Sequence, residues 1–214
     1  MGYYVGDVPA QPLVIEPARN AGADLIDLAP FNEAEVEVLG PDGRPIVTPG
    51  FLATITTLPD AEAPVIVVEW PETSPFESAG IYTIRVIVLD TTTGVRERIP
   101  SVRIVADVED GWHTLETARE DWRDAPVVDA WLYELLWTAR NDVVQYAPVL
   151  PDGQWPPPNY RRAQLMQARN LWNAGKVDPA SGGDGEGQFI LRPLPLDWTV
   201  KQTVRPKTAR KAIG

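Results

Sequence analysis

Near Asp110 the chain changes both the period of its apolar residues and its balance of charge, which divides 214 residues into two modules with different surfaces. Upstream, eighteen acids stand against six bases, a net of −12; downstream, twelve acids and thirteen bases nearly cancel, a net of +1. All four lysines (Lys176, Lys201, Lys207, Lys211) lie downstream, as do seven of the eight tryptophans. A single uniform domain seldom sorts residues in this way. The expected organisation is a domain over 1–110, a second over 111–198 and a basic C-terminal arm over 199–214.

The first half reads as strands. Glu33 to Val38 alternates polar and apolar without error, the period of a half-buried strand, and Gly40-Pro41-Asp42-Gly43 follows as a turn. Further runs rich in Val, Ile and Thr span Leu13–Ile15, Leu25–Leu28, Phe51–Thr57, Val65–Trp70, Ile81–Leu89 and Val95–Val105. Seven or eight short strands in about 100 residues predict an antiparallel sandwich. Gly80-Ile81-Tyr82-Thr83-Ile84 resembles the tyrosine corner of immunoglobulin-like (Ig-like) domains, in which the hydroxyl bonds back to an upstream backbone group. Ile84 stands where antibody domains carry Cys, so only the disulfide is lost. The first half is therefore expected to be an all-β, Ig-like sandwich, with an unrelated sandwich or an open barrel as the alternative.

The second half reads as helices. Val128, Trp131, Leu132, Leu135, Ala139, Val143 and Tyr146 recur at intervals of three and four, predicting a helix from Pro126 to Tyr146 that Pro148 ends. A shorter helix is expected over Thr114–Arg123. Pro151–Pro158 predicts a stiff connection, and Asn159 is the expected N-cap of a helix reaching Gly175. Gly182–Gly187 has no core-forming side chain and predicts a flexible loop, and Gln188–Leu194 a short strand. The expected fold class is multidomain, the sandwich being followed by a mainly α-helical bundle with a short β segment and an extended C-terminal arm.

Chemistry is sparse. Without cysteine there is no disulfide and no thiolate metal site. His113 is the one histidine, which removes Ser-His-Asp triads and Cys-His dyads and reads as a capping or packing residue at a helix start. Asp184 and Glu186 in the glycine-rich stretch fit neither an EF-hand nor a P-loop. Glu33, Glu35 and Glu37 share one sheet face as a solvated, edge-protecting row rather than a catalytic pair. No catalytic residue, cofactor or metal is expected, so the chain reads as a non-enzyme. The start, MGYYVGDVPAQP, has no basic or apolar stretch and predicts no signal peptide, and no apolar run is long enough for a bilayer. Lys201, Arg205, Lys207, Arg210 and Lys211 cluster in the tail, interspersed with Thr199, Val200, Thr203 and Val204; an extended arm that docks on an acidic protein and adds to its sheet ranks ahead of a nucleic-acid contact or a frayed terminus, because the rest of the chain is acidic.

Three stretches carry a family resemblance: VVDAWLYELLWTARNDVVQYAP from Val127 to Pro148, YRRAQLMQARNLWNAG from Tyr160 to Gly175, and Arg205-Pro206-Lys207. In order and spacing, residues 112–214 resemble the head-to-tail adaptors (connectors) of long-tailed bacteriophages. The resemblance implies a homo-oligomeric ring, commonly of twelve subunits, beneath the portal protein. It would join the DNA-filled capsid to the tail, pass genomic DNA without sequence-specific binding and contact the next neck or tail protein. The implied location is the virion neck, after assembly in the host cytoplasm. Carried onto this sequence, the portal-binding arm comprises Lys201, Val204, Arg205, Pro206, Lys207, Arg210 and Lys211. The ring interface draws on Trp131, Trp137, Tyr146 and Trp172, because aromatic residues favour interfaces. Compact members of that family lack a β domain of 110 residues. The competing expectation is a baseplate or decoration protein whose sandwich binds carbohydrate or protein through loops such as Pro71–Ser78 with Phe76.

Overall fold

The computed structural model describes residues 3–17, 26–46, 50–59, 63–176 and 195–205. They divide into two compact units, Met1–Val108 and Glu109–Gly214. Unit 1 holds β1 (Tyr3–Tyr4), β2 (Leu13–Ile15), β3 (Glu33–Leu39), β4 (Leu52–Thr56), β5 (Val65–Glu69), β6 (Gly80–Leu89) and β7 (Arg96–Asp107). Unit 2 holds α1 (Leu115–Asp121), α2 (Asp129–Tyr146), α3 (Pro158–Lys176) and α4 (Trp198–Val204).

Six of the seven described strands of unit 1, β2 to β7, fall on the predicted runs and β1 does not, but the expected Ig-like sandwich is not formed. All seven join one mixed sheet in the order β1-β7-β6-β3-β4-β5-β2, every pair antiparallel except β1 with β7. A sandwich needs two separate ladders; here β3 bonds to both β4 and β6 and carries the ladder across. Ile15 of β2 and Ile66 and Val68 of β5 share one core with Ile84, Val86, Ile99 and Ile104 of β6 and β7. Strands from opposite ends of the order reach one core only if the sheet curls on itself, so the unit is a half-barrel. The sequence does not distinguish the two architectures because strand spacing and alternation are the same in both; only the long-range pairing of β3 differs. Leu25–Leu28 is the exception among the runs: Ile26 and Leu28 are buried, yet they lie outside any strand.

The local motif survives the change of architecture. Tyr82 Oη donates to the carbonyl of Ser78 at 2.8 Å and accepts from the Ser78 N–H at 3.3 Å, while the ring is 1% exposed. Gly80 lets the strand start beside Pro41, since a Cβ there would lie 2.5 Å from the proline ring. The register of β6 and β7 shifts between Ile84 and Val86, opposite Pro100 and Ser101, where proline has no N–H to give the ladder. On the outer face Glu35 pairs with Arg96 and Glu37 with Arg85 (3.3 Å).

The second expectation, a mainly helical bundle, also gives way: the seven-stranded sheet is the largest element of the chain, and two of the four helices have seven residues each. In unit 2, α2 starts at Asp129 rather than Pro126. α1 is capped by Thr114, whose hydroxyl accepts from the Thr117 N–H while Thr117 Oγ1 accepts from the Thr114 N–H. Asn159 lies inside α3 rather than capping it; its Nδ2 donates to the carbonyls of Thr203 and Val204 at the end of α4. The predicted extended arm is helical over Trp198–Val204, capped by Asp197, whose carboxylate accepts from the Val200 N–H at 2.8 Å. Gly182–Gly187 and Gln188–Leu194 lie outside the described residues.

Candidate assembly surface

The inward side of α2 carries Leu132, Leu135, Leu136, Ala139 and Val143, all buried. Tyr133, Trp137, Arg140 and Val144, at steps of four, three and four, form a separate stripe along one edge. Tyr133 and Trp137 stack with centroids 6.2 Å apart and planes 12° from parallel. The Arg140 guanidinium lies 5.5 Å from the Trp137 ring and 5.3 Å from that of Trp112. Asp110 neutralises it at 2.6 Å. The stripe is therefore an aromatic ladder with little net charge. Trp137 is 46% exposed and Val144 53%. At its Trp112 end the chain turns at Gly111, with φ +87°, and Trp155 and Pro156 cover it so closely that a Cβ would meet Pro156 Cδ at 2.8 Å. Trp155 is itself 70% exposed.

This stripe gathers only one of the four aromatic residues expected at a ring interface. Trp137 is on it. Trp131 is half-buried elsewhere on α2, and Trp172 is half-buried on α3. Tyr146, the last residue of α2, faces α4, whose Lys201 and whose C-cap Arg205 lie 5.8 and 4.8 Å from its ring. Of the expected portal-binding arm, Lys201 and Arg205 are engaged by Tyr146, and Val204 is buried with Val200 against Val143, Ala147, Tyr160 and Ala163. Pro206, Lys207, Arg210 and Lys211 lie outside the described residues.

Beneath the surface is a polar cluster that sequence inspection passes over, because its glutamines sit unmarked in an amphipathic helix. Gln164 and Gln167 of α3 are 2% and 0% exposed. Gln164 Oε1 accepts from the His113 N–H at 2.9 Å, and its Nε2 donates to the Leu136 carbonyl at 3.1 Å. Gln167 Nε2 donates to Asp142 at 2.8 Å. Arg161 Nε donates to His113 Nδ1 at 3.4 Å, which places the imidazole proton on Nε2, and Thr117 Oγ1 lies 3.3 Å from the same nitrogen. Burial, and then the nearby Arg161, lower the His113 pKa to about 4, against a smaller opposing pull from Asp121. The histidine is a neutral packing and acceptor group that faces Arg161 and Thr117.

Among the described residues of unit 1, a cleft of about 640 Å³ lies between the 40–46 turn and the Pro75–Ser78 segment. The aromatic side chain lining it is Tyr82, whose ring is buried and whose hydroxyl is committed to Ser78. Phe76, expected on a recognition loop, is 0% exposed and packs in the core against Tyr3, Trp70 and Tyr82. Among the described residues no group of three His, Asp or Glu could hold a metal ion, and no helix is long and apolar enough to cross a membrane. Comparison with models of known families and with curated proteins gives no match for this chain.

Proposed function

We propose that this chain is a non-enzymatic virion protein, a phage head-to-tail adaptor whose copies associate side to side into a ring below the portal. The observation that carries the reading is the α2 stripe: stacked, charge-neutralised and partly exposed aromatic residues on a rigid helix are the kind of surface that protein contacts bury. The order of the helical stretches in residues 112–214, and their likeness to connector sequences, supports the narrower identity. In this reading unit 1 is an acidic, lysine-free body added to the ring, Lys207, Arg210 and Lys211 engage the portal, and DNA passes without base contacts.

Sedimentation across a concentration series, with and without portal protein, tests it. The expected result is a closed oligomer of defined mass that binds portal, and Trp137→Glu dissociates it into a monomer whose far-ultraviolet circular dichroism stays that of the parent. A chain that remains monomeric at every concentration and ignores portal overturns the reading.

A further inference from the structure

Two turns of the chain are built on the same tripeptide, and the fold treats them differently. Pro41-Asp42-Gly43 lies between β3 and β4, and Pro151-Asp152-Gly153 lies between α2 and α3. Both Asp-Gly pairs are exposed, and Gly43 and Gly153 hold nearly the same left-handed φ, +77° and +76°. The turns are nevertheless out of step by one residue. In the first, the Gly43 N–H closes the turn on the Gly40 carbonyl at 2.9 Å; in the second, the Gln154 N–H closes it on the Pro151 carbonyl at 3.1 Å. The Gly153 N–H is thereby left outside the hydrogen bond of its turn. The carboxylates differ in the same sense. Asp42 Oδ1 accepts from the Arg44 N–H at 3.0 Å, and Asp42 Oδ2 lies 3.6 Å from Arg44 Nε. Among the described residues, neither the Asp152 carboxylate nor the Gly153 N–H has a partner.

An aspartate followed by glycine carries its own electrophile and nucleophile. The glycine amide nitrogen attacks the aspartate Cγ, the carboxyl oxygen and the amide hydrogen leave as water, and a succinimide ring closes. Water then opens either ring carbonyl. One opening restores aspartate; the other gives isoaspartate, in which the main chain runs through the former side chain and the carboxylate hangs from Cα. One water leaves and one returns, so no oxidant or co-reactant is needed. Glycine favours the attack because no Cβ shields its nitrogen. Ring closure requires that nitrogen to be free and the carboxyl group to be able to turn towards it.

We propose that Asp152 is a site of spontaneous isoaspartate formation and that Asp42, in the same tripeptide, is protected by its turn. At Asp42 the hydrogen bonds from Gly43 to Gly40 and from Arg44 to the carboxylate must both break before the ring can close. Two such bonds slow the reaction about tenfold relative to Asp152, which has neither. The product has a local consequence. The loop runs on to Trp155 and Pro156, which lie against Gly111, so the isomer adds one main-chain atom just before the exposed indole. None of this depends on how copies of the chain associate.

The test uses the unaltered chain, kept for several weeks at neutral pH and physiological temperature in water enriched in heavy oxygen. Each opening of a succinimide fixes one heavy oxygen, and fragmentation of the digested peptides places it at a single residue. In the folded chain the label at Asp152 is expected to be about tenfold that at Asp42, and in urea, where the turns are lost, the two converge. The labelled Asp152 peptide should contain isoaspartate, and Asp152→Glu, whose ring would be larger and slower to close, should take up no label there. Equal labelling of the two aspartates in the folded chain overturns the proposal. So does a ratio that survives urea, because the fold would then not be its cause. So does a folded chain unlabelled at Asp152 over a period in which the unfolded chain labels fully.

Discussion

The two units use aromatic residues in opposite ways. Unit 1 turns them inward: Tyr3, Trp70, Phe76 and Tyr82 form one ring cluster at centroid distances of 5.1–5.7 Å, with Phe76 at its centre. Unit 2 leaves Trp137, Trp155 and Trp198 between 46% and 70% exposed. The edges differ as well. Among the described residues the sheet of unit 1 ends in strands of two and three residues, and its outer face is laced by Glu–Arg pairs. Unit 1 exposes only aliphatic side chains among its large apolar residues, Val8, Val14, Leu52 and Val95 among those described, whereas unit 2 adds three exposed tryptophans to its exposed valines. Self-association is thus expected to map to unit 2.

Four measurements sharpen or break that contrast. The largest effect is expected from Phe76→Ala, which empties the centre of the inward cluster; unit 1 should lose about 3–5 kcal/mol while the tryptophan-rich unit 2 melts unchanged. A joint shift of both transitions would show that the units do not fold independently. Gly111→Ala forces a side chain into left-handed backbone and against Pro156, and should cost unit 2 about 2–3 kcal/mol, read by tryptophan fluorescence. Next is pH. The native state binds a proton at His113 only near pH 4, the unfolded chain already near 6.5, so protons favour unfolding between these values. Stability of unit 2 should fall by roughly 2 kcal/mol as the pH drops from 6.5 to 4, and His113→Gln should flatten that part of the profile. An unaltered slope in the variant would remove the histidine from the account. The smallest effect is expected from Arg96→Ala, whose ion pair with Glu35 is about half exposed: below about 0.5 kcal/mol by chemical denaturation.

What could be read beforehand follows the range of the interactions involved. Glu33–Leu39 declares itself by alternation, Gly80–Leu89 by its run of β-branched residues, and the Tyr82–Ser78 bond spans four residues, so all three were legible. The pairing of β3 with β4 joins Ala34 to Ala53, and no residue near either announces it; that single link separates a curled sheet from two facing ones. Glu35 and Glu37 were legible as one face, but Arg96 and Arg85 come from strands far along the chain. At the candidate surface, helical spacing picked out Leu132, Leu135, Ala139 and Val143 of the buried side of α2, but it also took in Val128, which is 43% exposed and precedes the helix, and it passed over Ala130 and Leu136. The edge stripe needs Arg140 to be read together with Trp112 and Asp110, which lie before α1. The tail misled because Thr and Val interspersed with bases favour extended backbone, whereas Val200 and Val204 are four apart and take helix once a groove is present.

Pro100 has a consequence for how the chain behaves when its sheet frays. β7 is the longest strand, and a long unbroken β run is where fibril growth templates itself once a sheet frays. The proline splits that run, and Arg98 and Arg103 place a charge in each half, so neither piece offers six consecutive residues suited to a dry zipper. Replacing Pro100 is expected to lengthen the ladder and to speed fibril growth from the partly unfolded chain, read by thioflavin fluorescence.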